Sequence, residues 1–158
     1  MRKRKGEAEV VDKLYKTFVD ATHNVFNLML NISEISHRPT DNFNCDDEID
    51  IAIGVVGDLQ GKVIYRFPAS TSLNMVEVMS GMQFEEVDIF VTSAISEIAN
   101  IISGNVLTAL SDNNLTCDIL PPEQCKLDDN KEYEIKTSCC ICTTIGEICL
   151  EIRLNRAS

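Results

Sequence analysis

Apolar residues along this 158-residue chain change their spacing several times, and each change marks an element. From Val10 to about Ile32 they fall at Val10, Val11, Leu14, Phe18, Ala21, Val25, Leu28 and Met29. Three- and four-residue steps of this kind predict a long amphipathic helix. Ser36-His37-Arg38-Pro39 predicts a break followed by a polar loop. Ile49, Ile51, Ile53 and Val55 then alternate with Asp50, Ala52 and Gly54, the period of a half-buried strand. Gly57-Asp58-Leu59-Gln60-Gly61 reads as a turn, and Val63, Tyr65 and Phe67 mark the return strand, which Pro68 ends. Ser70 or Thr71 is the expected cap of a short helix carrying Leu73, Val76 and Met79, stopped by Gly81.

A second long helix is predicted from about Glu85 to Leu110. Glu85, Glu86 and Asp88 sit at its start, where the helix dipole favours negative charge. Leu115, Cys117 and Ile119 suggest a short strand running into Pro121-Pro122. After a loop around Gln124 to Asn130, Tyr133, Ile135, Thr137, Cys139 and Ile141 alternate. The chain turns at Thr143 to Gly146, and Ile148, Leu150, Ile152 and Leu154 form the partner strand. The order of elements repeats with a period of about 75 residues, too long for a solenoid. The expected fold class is α+β: duplicated helix–β-hairpin units forming a mainly antiparallel sheet, packed by two long helices and one short helix. Residues 1–158 are expected to form a single domain, with 1–8 a flexible basic tail.

Charge narrows the functional classes. The net charge of −11 and pI near 4.5 oppose binding to nucleic acid or to an anionic membrane surface. Without an 18-residue apolar run, no membrane-spanning helix is expected. Met1-Arg2-Lys3-Arg4-Lys5 resembles the start of a signal peptide, but Glu7, Glu9, Asp12 and Lys13 interrupt the apolar stretch that should follow. A cytoplasmic location is the expectation.

The seven cysteines are Cys45, Cys117, Cys125, Cys139, Cys140, Cys142 and Cys149. An odd number in a chain read as cytoplasmic argues against a disulfide framework. Cys139 and Cys142 form a C-x-x-C, but on a strand residues three apart point to opposite faces and cannot hold one metal. His23 and His37 lack metal spacing with the cysteines. Small, reduced, mostly buried thiols are expected, with no metal bound.

The second long helix carries the candidate chemistry. At about 100° per residue, Ser93, Glu97, Asn100 and Gly104 fall within roughly 60° of one another. Ile95, Ile98, Ile102 and Ala109 mark the opposing, core-facing side. Ser93, Ser96, Ser103 and Gly104 are small and would let another protein's backbone approach. On periodicity alone the face is simply a solvated one.

The spacing S-x-x-x-E-x-x-N resembles the signature of the CheC/CheX chemotaxis phosphatases. In that family an Asp or Ser precedes Glu by four residues, Asn follows three residues on, and Pro comes some twenty residues later. Ser93, Glu97 and Asn100 match, and Pro121 and Pro122 follow Asn100 by 21 and 22 positions. The run from Gly54 through Gly57-Asp58-Leu59-Gln60-Gly61 to Phe67 is similar to the family's first hairpin. Met79-Ser80-Gly81-Met82 is similar to its mid-chain turn, and Ile119-Leu120-Pro121-Pro122 to its proline corner. The likeness is weakest in the first 45 residues and around Gln124 to Asn130.

The resemblance implies hydrolysis of the aspartyl-phosphate of a phosphorylated CheY-like receiver domain. Glu97 would pair with the receiver's active-site lysine and Asn100 would hold the attacking water. It implies no cofactor in this chain, with Mg2+ on the partner regulator, and a homodimer joined through a sheet edge that the late hairpins could supply. Asp20, Asn24 and Asn27 on the first helix match the spacing of Ser93, Glu97 and Asn100 but lack the Glu. They read as a decayed first copy, which sides with CheX-type members carrying one intact motif. The rival reading is a non-catalytic binding module for a phosphorylated receiver domain or flagellar-switch component. A zinc or thiol enzyme is a third, for which the sequence offers no P-loop or H-E-x-x-H.

Overall fold

A computed structural model describes residues 5–40, 47–124 and 132–157, with side chains from Val11 onward. The first helix, α1 (Lys5–Leu30), begins inside the segment expected to be a tail, so residues 5–8 are helical. It buries Leu14, Phe18, Ala21 and Val25 as predicted, but also Val19, Thr22, Phe26 and Leu30. The true core stripe is thus rotated by about 60° from the predicted one, at about 100° per residue. Leu28 falls over its edge and is 76% exposed, correcting its place in the predicted core.

Strand β1 (Ile35–Pro39) occupies the segment read as a break and loop. The first predicted hairpin is β2 (Glu48–Gly57) and β3 (Leu59–Pro68), with Asp58 alone between them. Gly57 has φ +113°, and a Cβ there would lie 2.5 Å from the Thr116 carbonyl, so only glycine fits. Asp58 fixes the turn to the next edge: its carboxylate accepts from Thr116 N at 2.7 Å, and its own N–H donates to Thr116 O at 2.9 Å.

Helix α2 (Ala69–Ser80) follows Pro68 directly. Pro68, not Ser70 or Thr71, is its N-cap residue, and Thr71 instead donates to the Glu147 carbonyl. Gly81 closes α2 in the left-handed conformation, as expected. Helix α3 (Ile89–Asp112) starts later than predicted, because the Asp88 carboxylate caps it by accepting from Val91 N at 3.0 Å. Glu85 and Glu86 lie ahead of it. Then come β4 (Cys117–Ile119), the two-residue β5 (Glu123–Gln124), and the hairpin β6 (Ile135–Thr143) and β7 (Gly146–Arg156).

The sheet runs β1-β6-β7-β3-β2-β4, with β5 beside β4 on β2, and every pairing is antiparallel. Each half is helix, short strand, hairpin, and the short strand of each half pairs with the hairpin of the other: β1 with β6, β4 with β2. The predicted duplication is therefore present, with a strand exchanged between the halves. Among the described residues the sheet edges are β1 and β4–β5. The late hairpin has no free edge, since β1 covers β6 and β3 covers β7.

One face of the sheet supplies Ile51, Ile53, Tyr65, Phe67, Ile141, Leu150 and Ile152 to a single core with all three helices. By length and composition α3 is apolar enough to cross a bilayer, although Glu97, Asn100 and several serines interrupt its apolar run. Here it acts as the core helix: Ile95, Ile98 and Ile102 are wholly buried. Burying each stabilises the fold by about 1.5–3 kcal/mol. Early α1 residues (Lys13, Thr17) share a groove with the end of α3 (Leu110, Asn113), and later ones (Asn24, Asn27) with Asn105, so the two helices run antiparallel.

The other face is partly covered as well: Ile64, Cys140 and Cys149 are buried there. Arg66 reaches Glu48 and Glu151 across it, with Asp50 at 3.6 Å, and Arg153 also contacts Glu151.

Candidate functional site

Helix α3 turns Ile95, Ile98, Ala99 and Ile102 onto the sheet, which forces Ser93 and Glu97 outward and leaves Asn100 half-buried at the margin. Glu97 and Asn100 are three residues apart, so they are neighbours on one helix surface. Among the described residues neither side chain has an intramolecular hydrogen-bond partner, so both are free to engage another molecule. Gly104 continues the face with nothing within 4 Å of a Cβ position, which leaves that turn open.

Ser103 does not belong to this face. It is buried, and its hydroxyl lies 2.7 Å from the Tyr65 hydroxyl. That contact ties α3 to β3 within one turn of Asn100 and fixes which residues α3 shows to solvent. Burial raises the Tyr65 phenol above its ordinary value, so it stays protonated as a hydrogen-bonding group. Ala109, expected in the core, is only half-buried and lines the groove with α1.

Sequence reasoning missed an apolar step beside the polar pair. Ile89 is 85% and Phe90 54% exposed on the first turn of α3, and Phe90 stacks on Phe84 with ring centroids 5.3 Å apart. Exposed apolar groups rimmed by polar ones mark surfaces that meet other proteins. Three consecutive apolar residues after Asp88 were the available signal.

Asp20, Asn24 and Asn27 are exposed on α1 and line an open groove of about 580 Å³ with Asn105 and Ala109 of α3. The structure thus brings them beside α3, but no acidic residue stands at the Asn24 position. Beneath them His23 is pushed below its ordinary pKa by burial first and by His37 second. Asp20 opposes the shift, and the two rings are 6.0 Å apart.

Residues 49–146 match the family described as chemotaxis phosphatase CheX. The chain belongs to the CheX family. The match includes all of α3 and excludes α1, in keeping with the weak likeness of the first 45 residues. A curated relative, the CheY-P phosphatase CheX of Thermotoga maritima, is 35% identical over 71 residues, 44% of this chain and 46% of the relative. The chain thus aligns with about half the length of that relative.

Among solved structures, a chain in the CheX–CheY–BeF3–Mg2+ complex from Borrelia burgdorferi matches with TM-score 0.76 at 21% identity. The match covers 90% of this chain and 97% of that one. The chemotaxis protein CheX from Vibrio vulnificus matches with TM-score 0.77 at 18% identity, over 90% and 99% of the two chains. At these identities the structures establish the shared α+β fold.

The cysteines divide by strand face. Cys139 points into the core and Cys142 away from it, as the alternation required. All five described cysteines are free, three of them buried; Cys45 and Cys125 lie outside the described residues. Cys140 and Cys142, two residues apart, share the outer face. Glu147 of β7 stands directly opposite Cys142. Sequence reasoning weighed the C-x-x-C spacing and passed over this C-x-C. The hairpin register would have revealed it.

Proposed function

We propose that the protein hydrolyses the aspartyl-phosphate of a CheY-like receiver domain, with Glu97 and Asn100 as the residues that enter the receiver's active site. The observation that carries this reading is the pair itself: one acid and one amide, side by side on an exposed helix face, within a chain of the CheX family.

An aspartyl-phosphate is an activated mixed anhydride, so hydrolysis chiefly requires a water held in line with phosphorus. The Asn100 amide supplies that without adding negative charge beside the phosphoryl group. A carboxylate at the same place would repel it. Glu97, as a carboxylate, pairs with the receiver's lysine and sets the angle at which Asn100 enters. That contact is charge-assisted, and its loss should lower affinity about ten- to a hundredfold. We take the metal ion to stay with the receiver, a reading supported by the Borrelia complex, whose components are CheX, CheY, BeF3 and Mg2+.

Ile89 and Phe90 give the receiver an apolar contact at the start of the same helix. Their placement supports docking along α3, with the polar pair at its centre. The test is to incubate the protein with a panel of phosphorylated receiver domains and follow phosphate loss. Asn100→Ala should abolish acceleration, and Glu97→Ala should weaken receiver binding and slow turnover. Full activity in Asn100→Ala would sink the mechanism.

A further inference from the structure

On the sheet face away from the helices, Cys140 and Cys142 project from β6 in parallel, and Glu147 of β7 closes the third side. The two sulfurs are 3.9 Å apart. Cys140 Sγ lies 3.5 Å from Glu147 Oε2, and Cys142 Sγ lies 3.7 Å from Oε1. All three ligand atoms fall within 4.8 Å of one another.

The sulfur–sulfur separation is that of two ligands around one small cation, and each sulfur has one Glu147 oxygen, a different one in each case, near ligand distance. With zinc–sulfur bonds of about 2.3 Å and tetrahedral angles, two thiolate sulfurs stand about 3.8 Å apart. With a zinc–oxygen bond of about 2.0 Å, sulfur and oxygen stand about 3.5 Å apart. We infer that Cys140, Cys142 and Glu147 form a binding site for a thiophilic divalent cation such as Zn2+, with the fourth position open to solvent.

Three further observations agree. Arg38 of β1 is paired with Cys140 in the sheet register, and its Nη2 lies 4.0 Å from Glu147 Oε1. Binding converts two thiols, one carboxylate and M2+ into a complex of net charge −1, and the two thiol protons leave to solvent. Arg38 balances that remaining charge. Second, an open depression of about 480 Å³ lined by Ser36, Cys142 and Thr143 leaves Cys142 reachable from solvent. Third, the strand opposes the rival use of these thiols. Same-face side chains two residues apart on a strand project in parallel, so their Cβ atoms stay about as far apart as the backbone rise sets, about 6.7 Å, whereas a disulfide requires Cβ atoms about 3.5–4.5 Å apart. A bridging cation fits that spacing, and a bond between the sulfurs does not.

The full chain, reduced and stripped of metal by a chelator, is titrated with Co2+ and then with Zn2+. One Co2+ per chain should bind with intense sulfur-to-cobalt charge-transfer absorption, and Zn2+ should displace it one for one. Cys142→Ser, a half-exposed position that leaves the core untouched, should abolish the absorption. Cys140→Ser should do the same. Glu147→Gln should keep the sulfur absorption but loosen binding at least tenfold, since losing even a group behind a ligand costs about that much, and Cys117→Ser, on β4 at the far edge of the sheet, should leave it unchanged. No saturable binding at micromolar Co2+, or absorption that survives Cys142→Ser, would overturn the site. So would an air-oxidised chain two hydrogens lighter with Cys140 and Cys142 linked in its peptide map.

Discussion

Ser103→Ala removes the hydroxyl that Tyr65 meets in the core, and the cost can be worked from the contact. The two oxygens are 2.7 Å apart, Tyr65 has no solvent exposure and Ser103 almost none, so water does not replace the lost partner. A buried hydroxyl left unpaired costs about 1–3 kcal/mol. Tyr65→Phe should be milder. The freed Ser103 hydroxyl can turn to the Ala99 carbonyl four residues back, as Thr92, Ser96 and Thr108 already do in the same helix. Its expected cost is about 0.5–1.5 kcal/mol. With both hydroxyls gone neither oxygen is stranded, so the double variant should cost about 1 kcal/mol less than the sum. Urea unfolding followed by circular dichroism on the four proteins gives the cycle, with unchanged slopes expected. At this chain length each kcal/mol shifts Tm by about 2–4 °C. Additive single effects, or Ser103→Ala no costlier than Tyr65→Phe, would refute this account of how α3 is held.

Asp50 carries a pKa pushed up to about 6, first by burial and then by Glu48, with Arg66 only partly offsetting them. A raised folded-state carboxylate gives stability that is present below its unfolded value of 3.8 and lost as pH rises through about 6. Asp50→Asn should therefore stabilise the protein at pH 7 by about 1–3 kcal/mol and flatten its stability between pH 4 and 6, read by thermal melts across that range. Asn27→Ala should leave phosphatase turnover within about twofold of wild type, because Asn24 already lacks the charge that would hold a receiver lysine there. A large loss with normal folding would show that α1 takes part.

Elements whose burial follows their own period were legible. Both long helices, both hairpins and the short helix lie where apolar spacing put them, because each must cover one face of a common core. What escaped detection lacks that signal. In β1 only Ile35 touches the core, so the strand shows no alternation and is held by its backbone ladder to β6. The duplication could have found it, since β4 is its counterpart and was predicted. Leu28 sits on the right period but on the wrong side of a stripe whose centre Val19, Thr22 and Phe26 set. Lys62, Ile64 and Arg66 alternate like a solvated face, yet Ile64 is buried and Arg66 gathers acids from two neighbouring strands. That compensation is tertiary and leaves no trace in one strand's pattern. Within the candidate site, the exposure of Ser93 and Glu97 followed from helical geometry. The burial of Ser103 did not, because a serine is equally at home in water and against a tyrosine hydroxyl.

On the proposed reading Asn100 does chemistry and the α3 face does more than bind. The direct test compares wild type with Asn100→Ala on one phosphorylated receiver, measuring dephosphorylation at saturating protein and affinity for the receiver carrying BeF3 and Mg2+. Affinity within a few-fold of wild type, with dephosphorylation falling to the receiver's own unassisted rate, is the expected result. Unchanged dephosphorylation in Asn100→Ala, or a wild-type protein that binds the receiver without accelerating phosphate loss, would contradict it.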